Sequence, residues 1–287
     1  MSLGLGVASV PVFVWWKWSI DQRCKRQEDV RTRVRVPNVQ TLDDIMVERC
    51  RPGDVLLFDR RWEHCATGPL AAFVCMLGRW ALCNDKDRNR VLADGKFDHC
   101  GIVVPGKIEK PGDEFDPSNL LLLEATPGQG IVARPLLTRL EMSQSRSVVL
   151  LPLALPGERR NDPYYEATAN VIATEQIVQK KLSDFRDSWT EASQKQNYKK
   201  AHSTLGLVGA IAYAIGYASR NPGPTSPSAW LVTQALTEAK VAQTTSERDV
   251  KEAKVEDFLR DSRFQDHDVI RMRPGWRFLA PVSFRET

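Results

Sequence analysis

Short apolar runs of strand length alternate along this chain with stretches of helical period. Val55-Leu56-Leu57-Phe58 follows a Pro52-Gly53 turn and predicts a buried strand. The runs at 120–125 and 131–134 flank Pro127-Gly128-Gln129-Gly130 and predict a hairpin, since its glycines can take positive φ. Residues 148–153 supply another strand, and 269–272 and 277–279 predict closing strands about Pro274-Gly275.

Helical period appears elsewhere. Thr41 is the expected N-cap of a short helix through Leu42, Asp43 and Asp44. Residues 66–83 read as a buried helix, followed by a charged loop over 85–96, and 107–119 as an insertion between strands. Asp162-Pro163 predicts the start of a long amphipathic helix, because a cap precedes a proline at the first helical position. Val171, Val178, Leu182, Phe185 and Trp189 form its apolar stripe, suited to packing on a sheet or docking on a partner. The glycine-laced run at 205–218 predicts a further buried helix. Ser226 and Pro227 start another, which turns highly charged from Glu238 to Asp261. The fold class is therefore α+β, a small antiparallel sheet packed on helices.

The amino terminus follows a different pattern. Residues 3–20 carry Trp15, Trp16 and Trp18 around Lys17, which resembles an interfacial aromatic belt with a snorkelling lysine. Its uncharged part is shorter than the roughly 20 residues of a comfortable span. A cleaved signal peptide would carry its positive charges before the apolar run, and none stands there. A soluble core element fits the density of tryptophan poorly. The expected organisation is a membrane anchor over 1–20, in contact with lipid, and a basic connector over 21–45. One domain follows over 46–287, with a helical insertion at about 162–200. The basic flank places the domain on the positive-inside face of the membrane.

Composition narrows the functions. A chain of 287 residues, 42% hydrophobic and 26% charged, can bury a full core. A net charge of +4 makes no demand for nucleic acid. Six cysteines at 24, 50, 65, 75, 83 and 100 contain no closely spaced ligand pair, so reduced thiols are expected rather than a disulfide framework. No metal or cofactor is expected; His64-Cys65 has no second ligand pair at zinc spacing.

Three stretches carry a resemblance. They are Arg51-Pro52-Gly53-Asp54-Val55-Leu56-Leu57-Phe58, Phe97-Asp98-His99-Cys100-Gly101-Ile102-Val103-Val104, and Leu123-Glu124-Ala125-Thr126-Pro127-Gly128-Gln129-Gly130-Ile131-Val132. In this order they resemble the circularly permuted, NlpC-type papain-like hydrolases: the YiiX/YebB-like group and, more distantly, the lecithin:retinol acyltransferase-like proteins. The resemblance covers roughly 48–153 and 200–285, and implies a half-barrel sheet packed on helices. It maps His99 onto the family histidine and Glu124 onto the residue that orients it. Alternation puts His99, Gly101 and Val103 on one strand face, with Cys100 opposite. Glu124 has a second reading, as a salt bridge to Arg134 across the hairpin.

The family nucleophile is a cysteine opening a helix after the histidine. Here that place reads Ser226-Pro227-Ser228-Ala229-Trp230-Leu231-Val232, with Ser228 at the nucleophile and Trp230 where the family has glutamate. A hydroxyl is far harder to ionise than a thiol, whose reference pKa is about 8.5. The resemblance therefore implies vestigial catalytic positions at His99, Glu124 and Ser228. The expected role is a non-catalytic accessory subunit among the other subunits of a membrane protein complex. The mitochondrial inner membrane, with the domain on the matrix side in a respiratory-chain or ATP synthase assembly, is the expected setting. The rival is a membrane-surface lipid or amide hydrolase or acyltransferase using Ser228, His99 and Glu124.

Overall fold

Five apolar runs and one C-terminal strand assemble into a six-stranded antiparallel sheet. The computed structural model describes residues 40–59, 97–106, 119–126, 130–143, 145, 147–162, 164–190, 224, 226–244, 247–259 and 270–286, with scattered helical positions between 14 and 32. The expected helix at 66–83, the loop at 85–96, most of the 107–119 insertion and the glycine-laced run at 205–218 lie outside them.

The domain begins with α1 (Leu42–Arg49). Thr41 Oγ1 accepts from the Asp44 amide at 3.2 Å, and Asp44 Oδ2 accepts from the Thr41 amide at 2.8 Å, a reciprocal capping box. The chain then turns through Gly53, whose φ of +97° favours glycine. A Cβ there would also stand 2.7 Å from Leu153.

The strands are β1 (Val55–Asp59), β2 (His99–Pro105), β3 (Leu120–Thr126), β4 (Gly130–Pro135) and β5 (Ser147–Leu151), with α2 (Leu136–Glu141) between the last two. A short β6 (Leu153–Ala154) precedes the long helix α3 (Ala169–Thr190). Then come α4 (Pro227–Glu238), β7 (Ala242–Gln243), α5 (Glu247–Glu252), a 3₁₀ turn (Val255–Leu259), β8 (Arg271–Met272), β9 (Arg277–Phe278) and β10 (Val282–Glu286). The sheet order is β10-β5-β1-β2-β3-β4.

Helices cover both faces, which is why the central strands read as continuous apolar runs instead of alternating ones. On one face Val55, Leu57, Cys100, Ile102 and Val104 pack against Val178, Leu182 and Phe185 of α3 and Ala229, Leu231 and Val232 of α4. On the other, Leu56, Phe58, Val103 and Leu122 pack against Val47 of α1 and Leu136 and Leu140 of α2.

Three expectations change. Asp162 does not cap the long helix; its carboxylate accepts from the Tyr164 amide at 3.0 Å in a local turn, and α3 starts later, at Ala169. Val171, Val178, Leu182 and Phe185 of the expected stripe are nonetheless buried and Trp189 is partly so, and residues 191–200 lie outside the description. The charged stretch after Glu238 does not prolong α4. Lys240 adopts φ +61°, the Val241 amide donates back to Leu236 O and the Lys240 amide to Thr237 O, which closes the helix in a Schellman motif. Ala253, Val255 and Phe258 then fold back into the first core.

The two closing strands do not pair with each other: β8 pairs β7 and β9 pairs β6, and the unforeseen β10 takes the edge beside β5. Among the described residues no helix is long and apolar enough to cross a membrane. Val14 and Trp18 are exposed, and 1–13 lie outside the description.

Candidate functional site

Pairing of β1, β2 and β3 fixes the site. Phe58 lies opposite His99, and Gly101 lies opposite Glu124. The two side chains therefore share the α2 face of the sheet with Phe58, Val103 and Leu122. Gly101 makes their approach possible. A Cβ at this position would stand 2.9 Å from Leu122 Cγ, closer than packed atoms allow, and 3.1 Å from Glu124 Cγ, a tight contact.

His99 Nε2 and Glu124 Oε1 are 2.8 Å apart, both side chains buried. The other carboxylate oxygen accepts from Arg139 Nε at 2.8 Å, with Arg134 Nη1 further off at 3.7 Å. Both sequence readings of Glu124 are thus realised, the histidine at close range and Arg134 at long range. Arg139, one helical turn into α2, is the partner that sequence reasoning missed. Its guanidinium also lies 4.5 Å above the centre of the Phe58 ring, whose own centroid is 5.8 Å from that of His99.

Burial alone pushes the Glu124 carboxyl up. The charge of Arg139 and the hydrogen bond and charge of His99 outweigh it and hold the group well below the usual carboxylate range. The carboxylate is therefore ionised at neutral pH and can only accept. Nε2 of His99 carries the hydrogen, so the pair fixes the ring's orientation and the protonation of that nitrogen.

Ser228 arrives from the opposite side. Ser226 caps α4 by accepting from the Ala229 amide at 3.5 Å, and Pro227 occupies the first turn. These local signals place Ser228 in the first turn, facing β2. The Val103 amide donates to Asp54 O at the entry to β1, so by the two-residue period the Cys100 amide faces β3. Pairing with β3 begins only at Gly101. Ser228 Oγ fills the gap, accepting from Cys100 N at 3.3 Å, and lies 3.4 Å from Ser226 Oγ.

The structure therefore brings His99 and Glu124 together and sets Ser228 against the backbone of the next residue. Among the described residues, the Ser228 hydroxyl bonds that amide and Ser226, not the imidazole. All three positions are sealed: His99 is 2% exposed, Glu124 0% and Ser228 4%. Trp230 sets its ring edge-on to Trp189 of α3, with centroids 5.5 Å apart. The Cys100 side chain packs in the first core, away from the imidazole, as the alternation predicts. Cys50 is a buried thiol pushed up by burial and by neighbouring Asp54, which makes it a poor nucleophile.

What the geometry defines is a mixed α+β domain holding a buried histidine–carboxylate–arginine cluster beside a helix-opening serine. No protein-family model, curated protein or solved structure matches the chain.

Proposed function

We propose that the chain is a non-catalytic scaffold on a degenerate permuted papain-like fold, acting as an accessory subunit of a membrane protein assembly. One observation carries the reading. The serine at the nucleophile position spends its hydroxyl on the Cys100 amide and on Ser226, while His99 and Glu124 are closed off beneath α2. A general base must reach the proton it removes, and a nucleophile must reach its substrate. The tryptophan-rich amino terminus with its basic flank supports the membrane setting.

The rival, a serine-dependent hydrolase or acyltransferase, requires Ser228 to turn toward His99 and the site to open. A fluorophosphonate or acyl probe separates the two on the full chain. The scaffold leaves Ser228 unlabelled, and Ser228→Ala folds as the parent does. Labelling that disappears in Ser228→Ala establishes the hydrolase instead. Detergent extraction followed by native-gel mass spectrometry tests the assembly: the chain should migrate with partner subunits.

A further inference from the structure

The helical positions between 14 and 32 divide into two faces. At about 100° per residue, Trp16, Ile20, Gln22 and Arg26 fall on one side, and all four are half-buried. Val14, Lys17, Trp18, Asp21 and Lys25 fall on the other and are exposed. The Trp16 indole nitrogen is itself buried. The first face therefore lies against the protein, and Arg26 shows where. Its Nη2 donates to Glu141 O at 3.1 Å, 115 residues further along the chain. Glu141 is the last residue of α2.

Left to itself, α2 would not persist. It has six residues, and isolated helices shorter than about 12 residues are marginal in water. Pro135 at its N-cap supplies no side-chain bond. Its hold comes from outside: Leu136 and Leu140 enter the second core, Arg139 Nε donates to Glu124 Oε2 at 2.8 Å, and Arg26 meets the final carbonyl. A cation at the carboxyl end of a helix satisfies an orphan carbonyl and complements the dipole. His99 and Glu124 lie beneath α2, buried. Lifting α2 would carry Arg139 away from Glu124 and uncover the imidazole.

We propose that the amino-terminal segment is a strap: through Arg26 it holds α2 closed over His99 and Glu124, and its detachment opens the cluster to solvent. The position of the strap and access to His99 are then one equilibrium, in which a short, weakly self-supporting helix is the moving part. The inference does not rest on the scaffold reading, because the same contact would keep an active enzyme closed. Lys25, next in sequence but on the exposed face, takes no part in it.

The test compares the full chain with two variants. Arg26→Met keeps the apolar stem and removes the donors; Lys25→Met removes the same charge from the exposed face. Diethyl pyrocarbonate, which modifies accessible imidazoles, is read at His99 by peptide mass spectrometry. Hydrogen exchange is read at the Met142 and Ser143 amides, which donate to Thr138 O and Leu140 O at the end of α2. Arg26→Met should raise both rates roughly tenfold, the effect of losing one charged hydrogen bond. Lys25→Met should match the parent, and exchange in β2 should stay slow in both variants, so that the opening is local. Ile20→Asp, a second lesion on the half-buried face, should open α2 likewise and replaces Arg26→Met should that variant fail to fold. Parent-like rates at His99 and α2 in Arg26→Met, or an equal rise in Lys25→Met, overturn the proposal. So does exchange in β2 that rises in step with α2, which means a general loss of stability and no strap. None of these readings involves Ser228, so their failure leaves the scaffold reading as it stands.

Discussion

Glu124 is a carboxylate that the interior keeps ionised, and that has a measurable consequence. Arg139 and His99 together outweigh its burial, so its folded-state pKa lies below its unfolded value of about 4.3. A carboxyl depressed in this way contributes stability that is fully present above the unfolded value. That stability is lost as pH falls toward the folded value, at about 1.4 kcal/mol per pH unit. Glu124→Gln removes the charge and leaves Arg139 without it, at an expected cost of about 3 kcal/mol at pH 7. The gap between parent and variant should narrow as pH drops below about 4, because only the parent still has that term to lose. Urea unfolding from neutral to acid pH reads this directly. A gap of constant size would mean that the carboxyl is not held ionised. His99 and Glu124 were legible in the sequence as the pair that the resemblance picked out, with alternation setting His99 on the same strand face as Gly101. Arg139 was not, because its role depends on α2 folding back over β3, and no local pattern encodes that return.

Helix ends divide into those that local chemistry announces and those it hides. Thr41 with Asp44, and Ser226 with Pro227, cap α1 and α4 as read, because capping involves residues only a few positions apart. Asp162-Pro163 carries the same signal but satisfies a turn, since the Asp162 carboxylate finds the Tyr164 amide before any helix begins. The end of α4 was hidden for a different reason. Lys240 takes a left-handed conformation usually given to glycine, and nothing in a lysine side chain advertises it. Lys240→Gly should therefore raise stability by about 1 kcal/mol, the strain of a Cβ in that conformation less the added freedom of glycine when unfolded. Thermal denaturation measures the gain, and a lowered midpoint would show that the lysine side chain contributes contacts worth more than the strain. The main strands were legible as apolar runs. The pairings β6–β9 and β7–β8 were not, because two-residue strands carry no period and their partners are distant in sequence.

At the scale of the whole molecule, one buried ion pair ties the start of the domain to the segment beyond the sheet. Asp54, 0% exposed, precedes β1, and Arg160 lies 106 residues further on. Asp54 Oδ1 accepts from Arg160 Nη1 at 2.6 Å and from the Leu153 amide at 2.8 Å. Oδ2 accepts from Arg160 Nη2 at 2.7 Å and from the Arg51 amide at 2.8 Å. The same guanidinium donates to Arg49 O at 2.7 Å and Leu153 O at 3.0 Å, joining α1 to β6. The carboxylate is thus fully occupied by donors. Asp54→Asn turns one acceptor into a donor facing donors and leaves the Arg160 charge without its counter-ion. The expected loss is about 3–5 kcal/mol. Arg160→Gln in the same background should add much less than it costs alone, with a coupling of about 1–3 kcal/mol in a double-mutant cycle. Because β1 contributes Val55 and Leu57 to one core and Leu56 and Phe58 to the other, loosening its entry should weaken both together. Near-UV circular dichroism and far-UV circular dichroism should then shift to a lower denaturant midpoint in step. Separate transitions would show that the two helical layers hold to the sheet independently, and that the clasp secures only the layer carrying α1.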